Sequence, residues 1–261
     1  MNKSTQFAMM METLTELVQE EQAPQPAPVV GLPNLKSVLA DASPLPREAL
    51  FLGLAEDGLP VLLNLYDPIP GPILISGDKS SGKTTLLQAI AHAAGLTHSP
   101  SEVQYGVITP HPDEWRRFHG NQNNAGIYCT PDDNAQELLQ SLVTWAHNNK
   151  GGEQSILLLI DGLEDIVKLG EQTLQNLRWL LLRGPSRRVW SFITLNASRA
   201  RDLKDWLDFF RTRLFGHIEN SNDAYLLTGT REQTLDHLLA GKQFALREND
   251  KLLGFYAPSI E

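Results

Sequence analysis

The stretch Gly77, Asp78, Lys79, Ser80, Ser81, Gly82, Lys83, Thr84, Thr85 constrains this chain more than any other. Two glycines bracket four residues and are followed at once by Lys and Thr. That spacing lets successive backbone N–H groups turn inward around a polyphosphate without Cβ clashes. The flanks agree with it. A turn signal, PIPG, and an apolar run, PILIS, precede the stretch, and LLQAIAHAAG after it reads as a helix whose positive end faces the anion. On this reading Lys83 reaches the terminal phosphates as a point charge and the Thr84 hydroxyl sits on Mg²⁺. All nine residues form the candidate ATP-binding set, with ATP and Mg²⁺ as the expected cofactors.

From residue 50 onward, strand-like and helix-like segments alternate as in a parallel sheet with crossover helices. LFLGLAEDGLPVLLNL reads as two strands around a turn at 56–58. Further strands are expected at 104–109, 126–130, 155–161 and 190–196 and in RLFGHIE, with helices at about 132–148, 171–182 and 202–210. The fold class expected is α/β: a P-loop NTPase with a mainly parallel sheet and helices on both faces, whose ligands lie beyond the strands' carboxyl ends.

An amphipathic helix is expected ahead of this domain. Phe7, Met10, Met11, Leu14, Leu17 and Val18 form one apolar stripe within residues 1–21, with Glu12, Glu16 and Glu20 away from it. Prolines 24, 26, 28 and 33 then make residues 22–47 an extended spacer, so the globular domain is expected at 48–261. The tethered helix is either a docking peptide for a protein partner or a piece that folds back on its own domain.

The 261 residues, 41% hydrophobic and 20% charged, suffice for one large core plus a tail. A single cysteine, Cys129, excludes an internal disulfide and a cysteine-rich zinc site, and the seven histidines show no ligand spacing. With no secretory leader and no apolar run of membrane-spanning length, a cytoplasmic protein without membrane insertion is expected. A net charge of −9 argues against a surface generally suited to coating nucleic acid.

A second constellation is ILLLIDGLED. Its apolar run ends in Asp161, where a strand-end carboxylate can hold the water shell of a magnesium ion opposite Thr84. Thr84 and Asp161 are therefore the candidate metal residues.

From about residue 50 to 258 these motifs, in this order, resemble the FtsK/HerA class of ATPases, and especially the degenerate ATPase modules of FtsK/SpoIIIE and type VII secretion motors. GDKSSGKTTLL resembles that family's phosphate loop, IDGLEDI its acidic strand end, ITLNAS its sensor strand, RTRLFGHI the strand that follows, and LLAGKQFAL its closing Gly-rich turn. Such motors pump DNA or drive protein secretion. Active members place a water-orienting glutamate directly after the metal-binding aspartate, and here that residue is Gly162. Glu164 could swing back toward the terminal phosphate or could simply be a solvated residue. Asn196 fits the polar sensor position or is a turn former.

Residues 178–213 carry nine Lys or Arg against three acidic residues. In a ring ATPase, Arg213 or Arg199 could reach a neighbouring subunit's site. The same cluster could instead bind nucleic-acid backbone or pair with Asp202, Asp205 and Asp208. The candidate catalytic residues are thus Lys83, Glu164, Asn196 and Arg213. The resemblance implies a weak or partner-activated ATPase within a homo-oligomer or an assembly of related ATPase subunits, acting on DNA or a polypeptide. The alternatives are a scaffold that binds ATP without hydrolysing it and, more distantly, an AAA-type or RecA-type helicase loader.

Overall fold

The computed structural model describes residues 33–149, 151–231, 234–248 and 251–260. The apolar stripe of residues 1–21 and the proline-rich stretch up to residue 32 lie outside the described residues.

The eight expected strands and two that were not expected, β9 and β10, form one ten-stranded sheet of order β2-β1-β10-β9-β8-β3-β7-β6-β4-β5. They are β1 (Ala49–Ala55), β2 (Pro60–Asn64), β3 (Ile73–Gly77), β4 (Val103–Thr109), β5 (Asn124–Cys129), β6 (Ser155–Ile160), β7 (Val189–Asn196), β8 (Thr212–Phe215), β9 (Gln243–Glu248) and β10 (Lys251–Tyr256). From β8 to β5 neighbouring strands pair in parallel, while β9, β10, β1 and β2 add an antiparallel wing.

The central strands are apolar on both faces because both are covered. On one face Leu74, Ile108, Leu158, Ile160, Ile193 and Leu195 pack against helices Asp133–Asn148 and Glu171–Arg183 through Leu139, Leu177 and Leu180. On the other, Ile73, Ile75, Tyr105, Val107, Leu157, Leu159 and Phe192 pack against the helix Lys83–Thr97 through Leu86, Leu87 and Ile90. Alternate residues of one strand thus serve opposite layers, as the two-residue period requires. Trp115 and Phe118, from the 3₁₀ segment Pro112–Phe118, close the second layer.

Three expectations need correction. The spacer reading of residues 22–47 does not hold from residue 34 on. Asn34 caps a helix, Leu35–Asp41, by accepting a 2.9 Å hydrogen bond from the Lys36 N–H, and Leu35, Val38 and Leu39 are buried against Phe51 and Ala93. The segment is stitched to the far end of the domain, with the Leu35 N–H donating to the Ser259 carbonyl at 2.8 Å and the Ser259 N–H to the Pro33 carbonyl at 3.1 Å. The globular unit therefore begins near residue 33, and tertiary burial outweighs the flanking prolines. The helix expected at 202–210 is a single turn, Lys204–Leu207, and RLFGHIE leaves the ladder after Phe215. The helix Ser221–Thr228, capped by Asn220, was not expected.

Because Leu35 is fully buried at this seam, Leu35→Ala should cost about 2–5 kcal/mol of domain stability. Urea unfolding followed by tryptophan fluorescence measures this, and a spacer residue would show no change.

Candidate functional site

The carboxyl ends of β8, β3, β7 and β6 lie side by side, and the candidate residues are set there. β3 ends at Gly77, which pairs in register with Asn196 at the end of β7. The loop that follows turns sharply, with Ser80 at φ +65° and Gly82 at φ +91°. Gly82 is the N-cap of the helix Lys83–Thr97 and offers no side-chain cap, so the first-turn N–H groups are left to face an anion. Glycine is required at this cap for a second reason. A Cβ on it would lie 2.7 Å from the Cα of Gly241.

That contact shows how the closing Gly-rich turn works. The Gly241 N–H donates to the Ser81 carbonyl at 3.1 Å, sealing the turn against the loop's outer side. Residues 216–219 hold the loop's start: Asp78 N–H to His217 carbonyl at 2.9 Å, Glu219 N–H to Asp78 Oδ2 at 2.8 Å, and Gly216 N–H to Ser76 carbonyl at 2.7 Å. Asp78 is thus a structural anchor. Ser81 is buried against Gly77 and Gly216, and its amide closes the turn on the Asp78 carbonyl. Lys79, Ser80 and Thr85 are exposed.

Lys83 Nζ donates to the carbonyls of Gly77 at 3.0 Å and Asp78 at 2.7 Å. Burial holds its pKa below the ordinary lysine value, and the charges of Glu164, Asp161 and Asp78 work in the opposite direction. The Thr84 hydroxyl donates to Asp161 Oδ2 at 2.8 Å. The other carboxylate oxygen accepts from Thr194 Oγ1 at 2.8 Å, and Thr194 Oγ1 in turn accepts from the Gly162 N–H at 2.8 Å. A hydroxyl and a carboxylate oxygen at this separation are the hard donors a magnesium ion takes through its water shell. Among the described residues no group of three His, Cys, Asp or Glu could hold a metal, so such an ion would complete its shell with phosphate oxygens and water.

Glu164 is half-buried rather than fully solvated. Its Oε2 is buried with no protein partner. Burial raises its pKa above the ordinary carboxylate value, Asp165 adds to the rise, and Lys83 opposes it. The next residue, Asp165, points elsewhere and pairs with Lys168 at 2.7 Å. The Asn196 side chain caps the turn after β7, its Oδ1 accepting from the Ser198 N–H at 3.4 Å and the Ser198 hydroxyl at 3.2 Å. This is the turn-former role.

Arg213 is a correction. It lies at the amino end of β8, in register with Leu74, and its guanidinium donates to the carbonyls of Phe210 (3.3 Å), Leu227 (2.7 Å) and Leu207 (2.8 Å). Those bonds commit it to closing chain ends within its own domain. Arg199 pairs with Asp202 at 3.1 Å on the surface, and Arg178 with Glu171. The loop's outer clasp and Thr194 escaped sequence reading. A threonine in the mostly apolar run of β7, two residues before Asn196, was the available signal for the latter.

The sheet order, the glycine-bent loop and the Thr84–Asp161 pair define an α/β fold of the P-loop NTPase class. No protein-family model and no curated protein matches the sequence, so the likeness to known proteins is carried by structure. The fold is similar to EssC (ATPases 2 and 3) from Geobacillus thermodenitrificans, at TM-score 0.71 and 13% identity over 90% of this chain and 48% of that one. It is also similar to Thermomonospora curvata EccC (ATPases 2 and 3), solved in complex with a signal sequence peptide, at TM-score 0.69 and 17% identity over 92% and 46%. A third is the pCW3 conjugation coupling protein TcpA, solved as a monomer with ATPγS, at TM-score 0.64 and 14% identity over 88% and 70%. This chain spans between 28% and 51% of the length of the secretion ATPase chains it matches. Its fold is similar to that of the ATPase domains of these proteins.

Replacing Arg213 by Ala should strand three carbonyls and lower stability by more than about 2 kcal/mol. Arg199→Ala, at an exposed pair, should stay within about 0.5 kcal/mol. Equal effects in urea unfolding would contradict the structural role of Arg213.

Proposed function

We propose that residues 33–261 form a Mg-ATP-binding domain of FtsK/HerA type, a slow or partner-activated ATPase of a cytoplasmic oligomeric assembly that moves DNA or a polypeptide. The observation that carries this reading is the Thr84–Asp161 hydrogen bond, which sets the loop's metal-side hydroxyl against a strand-end carboxylate, with Lys83 tethered to two loop carbonyls beside it. When bound, Mg-ATP supplies the electrophilic phosphorus and the diphosphate leaving group. The chain supplies the rest: first-turn N–H groups and Lys83 bind phosphate oxygens, Thr84 and Asp161 orient the ion's shell, and Thr194 keeps Asp161 aimed.

The neighbours support the chemistry and the setting by analogy of fold. TcpA was solved with ATPγS, EccC with a signal sequence peptide, and another match is the cytoplasmic domain of EccC. No helix among the described residues is long and apolar enough to cross a membrane. Residues 1–21, outside the described residues, are the proposed docking segment for a protein partner.

One observation favours the second reading, an ATP-holding scaffold with little turnover. Gly162 sits at φ +106°, a conformation that side-chain-bearing residues rarely adopt, so the position after Asp161 supplies no carboxylate.

Lys83→Ala should remove Mg-ATP binding in calorimetry while leaving the circular dichroism spectrum and unfolding transition in place. Asp161→Asn should weaken the magnesium dependence of binding more than binding itself. Undiminished ATP affinity in Lys83→Ala would overturn the nucleotide assignment.

A further inference from the structure

The amino ends of the parallel strands lie at the opposite pole of the sheet from the phosphate loop, and folding gathers cations there from separate segments. Arg211 immediately precedes β8 and Arg213 lies within it, so the two side chains share one face. β9 runs antiparallel beside them with Leu214 opposite Leu246, and one further step in that register sets Arg213 opposite Arg247. Like charges directly opposite on paired strands destabilise a sheet. Among the described residues no ion pair joins Arg211 or Arg213 to a carboxylate.

All three arginines line one cavity of about 460 Å³, with Phe210, Thr228 and Gly229 among its other walls, and no Asp or Glu lines it among the described residues. The carboxyl end of the helix Ser221–Thr228 holds the cations together. Arg213 donates to the Leu227 carbonyl at 2.7 Å and Arg247 Nη1 to the Thr228 carbonyl, so the helix end, itself partly negative, fixes two guanidinium groups side by side. An arginine carries more N–H donors than the carbonyls bonded to Arg213 take. Burial holds the Arg213 pKa below its ordinary value, Asp208 works against that, and the Arg247 charge adds to the lowering. Arg211 is exposed.

We propose that this cavity binds a compact phosphate dianion, the phosphate group of a small phosphorylated molecule, between Arg211 and Arg247, while Arg213, placed for structural reasons, lends its charge. The cations call for more than one negative charge. A phosphate also offers acceptor oxygens enough for guanidinium forks arriving from two strands, which a single carboxylate does not. An extended nucleic-acid backbone suits the site less, because a chain of net charge −9 repels a polyanion outside this recess. The cavity shares no residue with the phosphate loop, so the assignment does not depend on the nucleotide reading.

The test follows backbone amides of the full chain by NMR during titration with inorganic phosphate at constant ionic strength. Gly229 is the reporter, since a Cβ there would lie 3.7 Å from Arg247 Nη1. Its amide should shift saturably with a Kd of about 1 mM or tighter. Arg211→Gln should weaken that response at least about fivefold, Arg211→Lys should weaken it less, and the surface control Arg199→Gln should change it less than about twofold. The response should persist in Lys83→Ala, where the phosphate loop has lost its cation. A Gly229 shift that does not saturate, or that Arg211→Gln leaves undiminished, would overturn the site. Loss of the shift in Lys83→Ala would also overturn it, by showing that the amide reports on the loop. Saturable binding of a thymidine oligonucleotide at the same amide, tighter than that of inorganic phosphate, would overturn the compact ligand in favour of a nucleic-acid backbone.

Discussion

Asp161 is held between two hydroxyls, Thr84 from the helix after β3 and Thr194 from β7, each at 2.8 Å. It is nearly buried, and a carboxylate in that position needs its oxygens satisfied. Both partners come from other elements, so the requirement fixes the relative heights of β6, β7 and the phosphate loop. The parallel register makes this reachable: Ile160 pairs with Ile193, which brings the next residues, Asp161 and Thr194, together. The Gly162 N–H then binds the same Thr194 oxygen, tying the turn after Asp161 to the strand beside it. The geometry of the loop follows from this anchor.

The parts of the fold that were legible in the sequence are those where local pattern and tertiary demand coincide. Five apolar residues ending in Asp161, the glycine spacing of the loop, and PILIS between a turn and a helix are each locally sufficient, and each lies where expected. The helix Leu35–Asp41 was hidden because only Leu35, Val38 and Leu39 signal it, and they sit among prolines that argue for extension. Its existence depends on Phe51, Ala93 and the strand-like bridge to Ser259, all distant in sequence. The outer clasp on the loop was hidden for a similar reason. His217, Glu219 and Gly241 meet the loop through backbone groups, which leave no side-chain signature.

The basic run 178–213 shows the opposite hazard, a pattern visible in sequence whose meaning is dispersed by folding. Arg213 is drawn inward to three carbonyls, Arg199 and Arg178 pair with acids on their own segments, and the Arg188 guanidinium lies 3.7 Å from the Tyr66 ring centroid. Closeness along the chain does not make a patch when the chain passes from helix to strand to turn. Chain ends that leave carbonyls without partners recruit arginine because its planar fork can serve several at once. That demand accounts for Arg213 without any partner molecule.

Gly162 and Glu164 are best understood together. Any side chain at residue 162 would have to tolerate φ +106° and would place its Cβ 3.1 Å from the Asp165 carboxylate. The turn therefore selects glycine, and the selection removes a carboxylate from the place where related ATPases are expected to carry one. The same turn starts the helix Leu163–Ile166, whose Leu163 and Ile166 are buried in the core. Glu164 follows in that helix, half-buried, and its Oε2 is buried without a protein partner, an arrangement that costs stability.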